Sequence, residues 1–126
     1  MTVLGIGTDI IEVRRVERVW RRHGERFAAR ILTPEEWAQG SCSPDPWRFL
    51  ARRFAAKEAI AKALGTGIGI ELSWQDLRVT RQTRRAPQVH LSARARALAA
   101  QRGANRVLLS LSDEQAYAVA FAVLLA

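Results

Sequence analysis

Arg52-Arg53-Phe54-Ala55-Ala56-Lys57-Glu58-Ala59-Ile60-Ala61-Lys62-Ala63-Leu64-Gly65-Thr66-Gly67 decides how the rest of the chain is read. Alanine, leucine and the charged residues are strong helix formers, and Gly65 suits the left-handed residue that closes a helix. Upstream, Asp45-Pro46 offers a capping residue and a proline for the first helical position. The helix is therefore expected from Pro46 to about Leu64, with Phe49, Leu50, Phe54 and Ile60 turned to the core. Glu58 and Lys62 lie one turn apart within it. Met in isolation, such a pair reads as a surface ion pair worth about a few tenths of a kcal/mol. Here small alanines surround the carboxylate, which leaves room for a ligand.

Towards the N-terminus, Val3 to Asp9 is a short apolar run with glycines at 5 and 7, expected as a strand in close contact with another backbone and ending where Asp9 emerges. From Glu12 the period changes. Val13, Val16 and Trp20 fall on one helical face, with Arg14, Arg18, Arg21 and Arg22 on the other, until Gly24 stops or bends the helix. Thr33-Pro34-Glu35-Glu36 is a helix start: Thr33 caps, Pro34 takes the first position, and Glu36 completes a capping box. Gly40 to Asp45 is expected as a loop.

Towards the C-terminus, Ser73 caps a single turn before a strand over Leu77 to Arg81. A second strand runs from Pro87 to Leu91, and Gln82 to Ala86 form the hairpin loop between them. Ser92 caps a helix that ends at Gly103. Val107 to Leu111 is a strand, Asp113-Glu114-Gln115 a turn, and Tyr117 to Leu125 a closing strand. That last strand is apolar on both faces, so both must be covered. Helices cover one, and a neighbouring subunit is the natural cover for the other.

The chain of 126 residues, 48% hydrophobic and 25% charged, is enough for one domain and one core. It contains no run of membrane-spanning length, no basic-then-apolar leader, and a lone Cys42, which excludes an internal disulfide and a cysteine zinc cage. A cytoplasmic location is the expectation. The net charge of +8 attracts polyanions of several kinds, from nucleic acid to an acidic protein or a phosphorylated small molecule. Eighteen of the twenty basic residues are arginine, so Lys57 and Lys62 are the only lysines.

Asp9 alone reads as a turn aspartate bonding to nearby amides. Paired with Glu58 it becomes a site for a hard cation, since magnesium takes one or two carboxylates and completes its shell with water and substrate phosphates. Gly5-Ile6-Gly7 lacks the third glycine of a dinucleotide fingerprint, and Gly65-Thr66-Gly67-Ile68-Gly69 follows a helix rather than opening one. The second loop is a helix cap or a backbone wall beside a flat ligand. The arginine face is either a solvated surface or a docking face for an acidic partner. No aromatic residues interleave with it to stack bases, and no helix-turn-helix or zinc-finger spacing is present. A basic nucleic-acid-binding oligomer is the rival reading, and it leaves the acidic pair and Lys62 without a task. His23 and His90 carry no signal by themselves.

Gly5-Ile6-Gly7-Thr8-Asp9-Ile10-Ile11-Glu12, together with Arg53-Phe54-Ala55-Ala56-Lys57-Glu58-Ala59, Lys62 and Gly65-Thr66-Gly67, resembles the holo-[acyl-carrier-protein] synthases. These are the short, trimeric 4'-phosphopantetheinyl transferases of bacterial fatty acid synthesis. The resemblance spans nearly the whole chain and implies an α+β fold. That fold is one small domain over residues 1–126, with helices packed on a mostly antiparallel sheet, assembled as a homotrimer with sites at subunit interfaces. It implies an enzyme that moves 4'-phosphopantetheine from coenzyme A to a serine of apo acyl carrier protein and releases 3',5'-ADP, with no role for nucleic acid or membrane. By the same resemblance, Asp9 and Glu58 hold magnesium and Lys62 lies near the phosphates. Gly65, Thr66 and Gly67, with Arg53 and Pro87, line the coenzyme A site. Arg14, Arg15, Arg18, Arg21 and Arg22 receive the acidic carrier. Two departures touch the 3'-phosphate site. Arg85-Ala86-Pro87 stands where many members have Gly-Lys-Pro, which brings in Arg84 or Arg85, and Leu108 and Asp113 stand where some members carry histidines.

Overall fold

The computed structural model describes residues 1–126. Strand β1 (Val3–Glu12) leads into α1 (Val13–His23), α2 (Glu25–Ile31), α3 (Pro34–Gly40) and the long α4 (Pro46–Leu64). A single 3-10 turn (Trp74–Asp76) then opens the hairpin β2 (Leu77–Thr80) and β3 (Gln88–Leu91). Helix α5 (Ala93–Gln101) and strands β4 (Arg106–Asp113) and β5 (Tyr117–Leu125) complete the chain. The strands β1, β5 and β4 form an antiparallel sheet in that order, and β2–β3 is a separate antiparallel pair. This is the expected α+β arrangement of helices on antiparallel strands.

Helix α4 crosses the inner face of the three-stranded sheet, and the two surfaces meet through small residues. On β5, Ala118, Ala120, Ala122 and Leu124 are buried beneath it, while Ala55, Ala56, Ala59 and Ala63 of α4 are fully buried. On β1 the contact is backbone to backbone. A Cβ at Gly7 would lie 2.0 Å from the carbonyl oxygen of Ala59, and one at Gly5 would lie 2.2 Å from that of Ala63. No side chain fits in either place, so the two glycines set the separation between strand and helix. Strand side chains alternate, so Asp9 follows Gly5 and Gly7 onto the inner face, pointing at the C-terminal half of α4.

Most of the caps are built as read. Thr33 Oγ1 accepts from the Glu36 amide at 3.3 Å, and Glu36 accepts from the Thr33 amide at 2.8 Å. Ser92 caps α5, and Gly65 closes α4 at φ 79°. Three expectations are corrected. Strand β1 does not end at Asp9 but pairs on to Glu12, opposite Tyr117, so Asp9 sits inside a strand. Strand β4 likewise extends to Arg106 and Asp113 because β5 offers partners along its whole length. Asp45 makes no capping bond; its carboxylate accepts from Ser43 Oγ instead. The break expected at Gly24 is present, and beyond it the chain, to which the sequence assigned no element, is helical again as α2 and buries Ala28 and Ile31.

The capping residue Glu36 has a second duty. It is buried, and its Oε1 accepts from Lys57 Nζ at 2.7 Å while Oε2 accepts from the Val79 amide at 2.9 Å. The Lys57 ammonium also donates to the carbonyls of Ile31 and Trp74, at 2.7 and 3.1 Å. Burial pulls its pKa down, and the Glu36 carboxylate opposes that pull. One ion pair thus joins α2, α3, the 3-10 turn and β2 to the middle of α4, with every ammonium proton placed.

Two consequences can be measured by urea denaturation. Gly7→Ala is expected to cost about 3 kcal/mol, because an added methyl meets backbone that cannot swing aside. A wild-type midpoint would show that strand and helix do not touch there. Lys57→Met should cost about 3–5 kcal/mol by stranding a buried carboxylate, whereas Lys62→Met should cost under about 1 kcal/mol. Equal effects at the two lysines would refute the buried network.

Candidate active site

The β1–α4 contact brings the sequence-predicted acidic residues together. Asp9 projects from the inner face of β1, its side chain 17% exposed, and Lys62 reaches it from α4 with Nζ 3.2 Å from Oδ1. The same ammonium donates to the Thr8 carbonyl at 2.8 Å. Glu58 lies one turn earlier on α4. The surface ion pair that spacing alone allows between it and Lys62 is not formed, since Lys62 is drawn to the strand, and no hydrogen bond or ion pair within the chain engages the Glu58 carboxylate. Partial burial pushes its pKa up, and the neighbouring Asp9 carboxylate pushes it further, with Lys62 opposing.

Two carboxylates facing one ammonium leave a negative excess and unused acceptor oxygens. That is a fit for a divalent oxygen-seeking cation, which would relieve the repulsion that raises Glu58. The two acidic side chains alone are too few to enclose an ion, and no cluster of three or more His, Cys, Asp or Glu residues stands nearby. Magnesium, which keeps waters and takes substrate phosphates as ligands, matches so open a donor set.

The loop after α4 begins three residues beyond Lys62. Gly65 and Gly67 are left-handed, at φ 79° and 67°, and the Thr66 and Gly67 amides turn back to the Ala61 carbonyl at 3.2 and 3.4 Å. Thr66 Oγ1 is buried without a partner. Pro87 is half-buried just before β3, which begins at Gln88 and not at the proline, after a hairpin loop in which Arg84 is left-handed. Arg53 is not brought to the acidic pair. It is buried on the Lys57 side of α4, over the Phe49 ring at 4.5 Å and 3.9 Å from Glu36, with Nε unpartnered. Burial lowers its pKa to about 10. It lines a separate cavity of about 410 Å³ that also includes Arg52, Arg81 and Asp113. Leu108 lies on the outer face of the sheet, 46% exposed.

Arg14, Arg15, Arg18, Arg21 and Arg22 are all exposed on α1. Arg21 is partly engaged, 2.8 Å from Glu17 and over the Trp47 ring. The sequence reading passed over the groove beside this face. It measures about 510 Å³ and combines Val19, Phe27, Phe54 and Trp74 with His23, Arg26 and Arg30. Phe54 and Trp74 pack together with centroids 5.0 Å apart. The available signal was Arg26 and Arg30 at helical spacing around Phe27, in a segment not read as helical.

A family model described as the 4'-phosphopantetheinyl transferase superfamily matches residues 5–122, a span that holds Asp9, Glu58, Lys62 and the glycine loop. The chain belongs to this family. Within the superfamily, the holo-[acyl-carrier-protein] synthase of Alteromonas mediterranea is 48% identical over 124 residues, covering 98% of each chain. The crystal structure of holo-[acyl-carrier-protein] synthase from Neisseria meningitidis matches with a TM-score of 0.89 at 39% identity, over 98% of both chains. A holo-(acyl-carrier-protein) synthase from Bacillus anthracis, solved in complex with CoA (3',5'-ADP), matches with a TM-score of 0.80 at 37% identity, over 98% of this chain and 97% of that one.

The raised Glu58 fixes the sign of a pH effect. A carboxyl whose folded pKa exceeds its unfolded value favours folding when protonated. That contribution is complete below the unfolded glutamate value and is lost as pH rises through the folded one. Without divalent ions, Glu58→Gln should therefore melt higher than the parent at neutral pH and match it in acid. A variant no more stable at neutral pH would show that Glu58 ionises without strain.

Proposed function

We propose that the chain is a magnesium-dependent holo-[acyl-carrier-protein] synthase, acting as one transferase domain over residues 1–126. It moves 4'-phosphopantetheine from coenzyme A to a serine of apo acyl carrier protein, in the cytoplasm, as part of fatty acid synthesis. The observation that carries this reading is the convergence of Asp9, Glu58 and Lys62 at the β1–α4 contact, in a chain that matches synthases along its length.

In the reaction the serine oxygen bonds to the β-phosphorus of coenzyme A. The bond from that phosphorus to the bridging pyrophosphate oxygen breaks, and the oxygen departs with 3',5'-ADP. Catalysis of such a transfer is positioning and charge stabilisation. Bound to Asp9 and Glu58, magnesium would supply charge neutralisation at the pyrophosphate. Lys62, held by Asp9 and the Thr8 carbonyl, presents a fixed positive charge to the same oxygens. Glu58 is the best-placed proton acceptor for the serine, directly or through a water, since burial and the Asp9 carboxylate raise its pKa above the ordinary glutamate value; a water held by other groups is the alternative base. Gly65, Thr66 and Gly67 form the backbone wall against the nucleotide, with Pro87 and the Arg53 cavity as further parts of its site. The second departure from the family pattern bears on this cavity, where Asp113 is already paired with Arg48 and Arg52.

Carrier docking is assigned to the exposed arginines of α1 and the adjoining groove, whose apolar floor and basic rim suit an acidic helical protein. Homotrimer formation accounts for the uncovered face of the sheet. There Ile6, Ile10, Leu108, Tyr117, Val119 and Phe121 are between 36% and 63% exposed, as the two-sided closing strand requires of a chain with a neighbour. No helix is long and apolar enough to cross a membrane.

Incubation with apo carrier, coenzyme A and magnesium, followed by the intact mass of the carrier, tests the reading directly. Asp9→Ala and Glu58→Ala should abolish transfer while the fold persists, and full activity in either would remove the metal assignment. Reversing charge at Arg14, Arg15 and Arg18 should raise the carrier KM about tenfold or more while leaving that of coenzyme A near its parent value. High salt should imitate the effect. An unchanged carrier KM would reduce α1 to a solvated surface. Tight, magnesium-independent binding to DNA with no nucleotide release would favour the nucleic-acid reading instead.

A further inference from the structure

Helix α5 carries none of the residues assigned so far, yet it holds the elements that do. At its end, Arg102 donates from Nη1 to the Ala63 carbonyl and from Nη2 to the Leu4 carbonyl, both at 2.8 Å. Ala63 follows Lys62 on α4, and Leu4 lies on β1, the strand of Asp9. A single planar fork therefore spans the two elements whose separation defines the acidic site. The fit is close: a Cβ at Gly65 would come within 2.9 Å of Arg102 Nη1, so the bare glycine gives the guanidinium its path.

At the start of α5, Arg94 donates from Nε to the Glu71 carbonyl at 2.7 Å and from Nη2 to the Ile70 carbonyl. The two arginines thus bond to the chain at either end of the stretch from Ala63 to Glu71. Little else does. The Thr66 and Gly67 amides make long bonds of 3.2 and 3.4 Å to Ala61, Gly69 bonds to Leu72, and Ile70 is 97% exposed.

Charge gives the arrangement a second meaning. The C-terminus of α4 opens towards this loop, and a helix C-terminus carries partial negative charge that repels phosphate. A polyanion bound there needs that charge offset. Arg102 does so by capping a last-turn carbonyl with a permanent cation.

We infer that Arg102 and Arg94 are positioning residues for coenzyme A. They hold the glycine loop and offset the negative end of α4, so they govern affinity for the nucleotide and not for the carrier. This rests on the reading that places coenzyme A against the loop.

The test uses Arg102→Ala, Arg102→Lys and Arg94→Ala. It combines steady-state kinetics on both substrates with calorimetric binding of 3',5'-ADP in the absence of carrier. Arg102→Ala should raise the coenzyme A KM and the 3',5'-ADP Kd about tenfold, with the carrier KM within about twofold of the parent. Arg102→Lys, which keeps the charge and loses the fork, should lie between. Arg94→Ala should move the same two quantities in the same direction by about threefold. A general loss of structure would lower the active fraction without separating the two substrates. Unchanged nucleotide constants in folded Arg102→Ala, or equal rises for both substrates, would overturn the inference. If Arg102→Ala does not fold, Arg94→Ala decides, because Arg94 and the carbonyls it bonds to are exposed and its truncation leaves no buried group unpaired. A parent protein that neither transfers phosphopantetheine nor binds 3',5'-ADP would refute the transferase reading itself.

Discussion

The approach of α4 to β1 is the constraint on which the rest depends. Two glycines without side chains let the carbonyls of Ala59 and Ala63 rest on the strand. From that distance follow the reach of Lys62 to Asp9, the repulsion between Asp9 and Glu58, and the span that one guanidinium can bridge at Arg102. A larger side chain on the inner face of β1 would part the two acidic residues before it touched either. Small residues are therefore part of the chemistry here, although they have no functional groups.

Much of the architecture was legible because its signals are local. The Thr33, Pro34 and Glu36 start, the Gly65 stop and the Ser92 cap each satisfy or end a helix within a few residues, and α3 starts, α4 ends and α5 starts where those signals put them. The ends of β1 and β4 were not legible. They are set by hydrogen bonds to β5, a strand distant in the chain, and no residue type at Asp9 or Asp113 announces them. The seven-residue α2 also escaped, since it has no side-chain cap and begins at a glycine in an unusual conformation.

The site divides in the same way. Asp9, Glu58 and Lys62 could be picked out as chemistry-bearing residues, but their pairing could not. Spacing favours Lys62 with Glu58, and it is the tertiary contact that gives Lys62 to Asp9 and leaves Glu58 unpaired. Glu36 shows the limit most clearly. Its capping role was visible from three residues away, while its bond to Lys57, twenty-one positions on, exists only once the helices have packed.

Lys57 and Glu58 are neighbours in the chain, and the helix sends them in different directions. The lysine is sealed in the interior against Glu36, and the glutamate looks out beside Asp9. The dipeptide is thus a hinge between two kinds of failure. Damage to its first member appears as a protein that does not accumulate, and damage to its second as a well-made protein that does no work. Loss of activity alone cannot tell these apart, so a survey of inactive sequences in this family would mix broken scaffolds with silent catalysts unless the amount of folded protein were counted alongside.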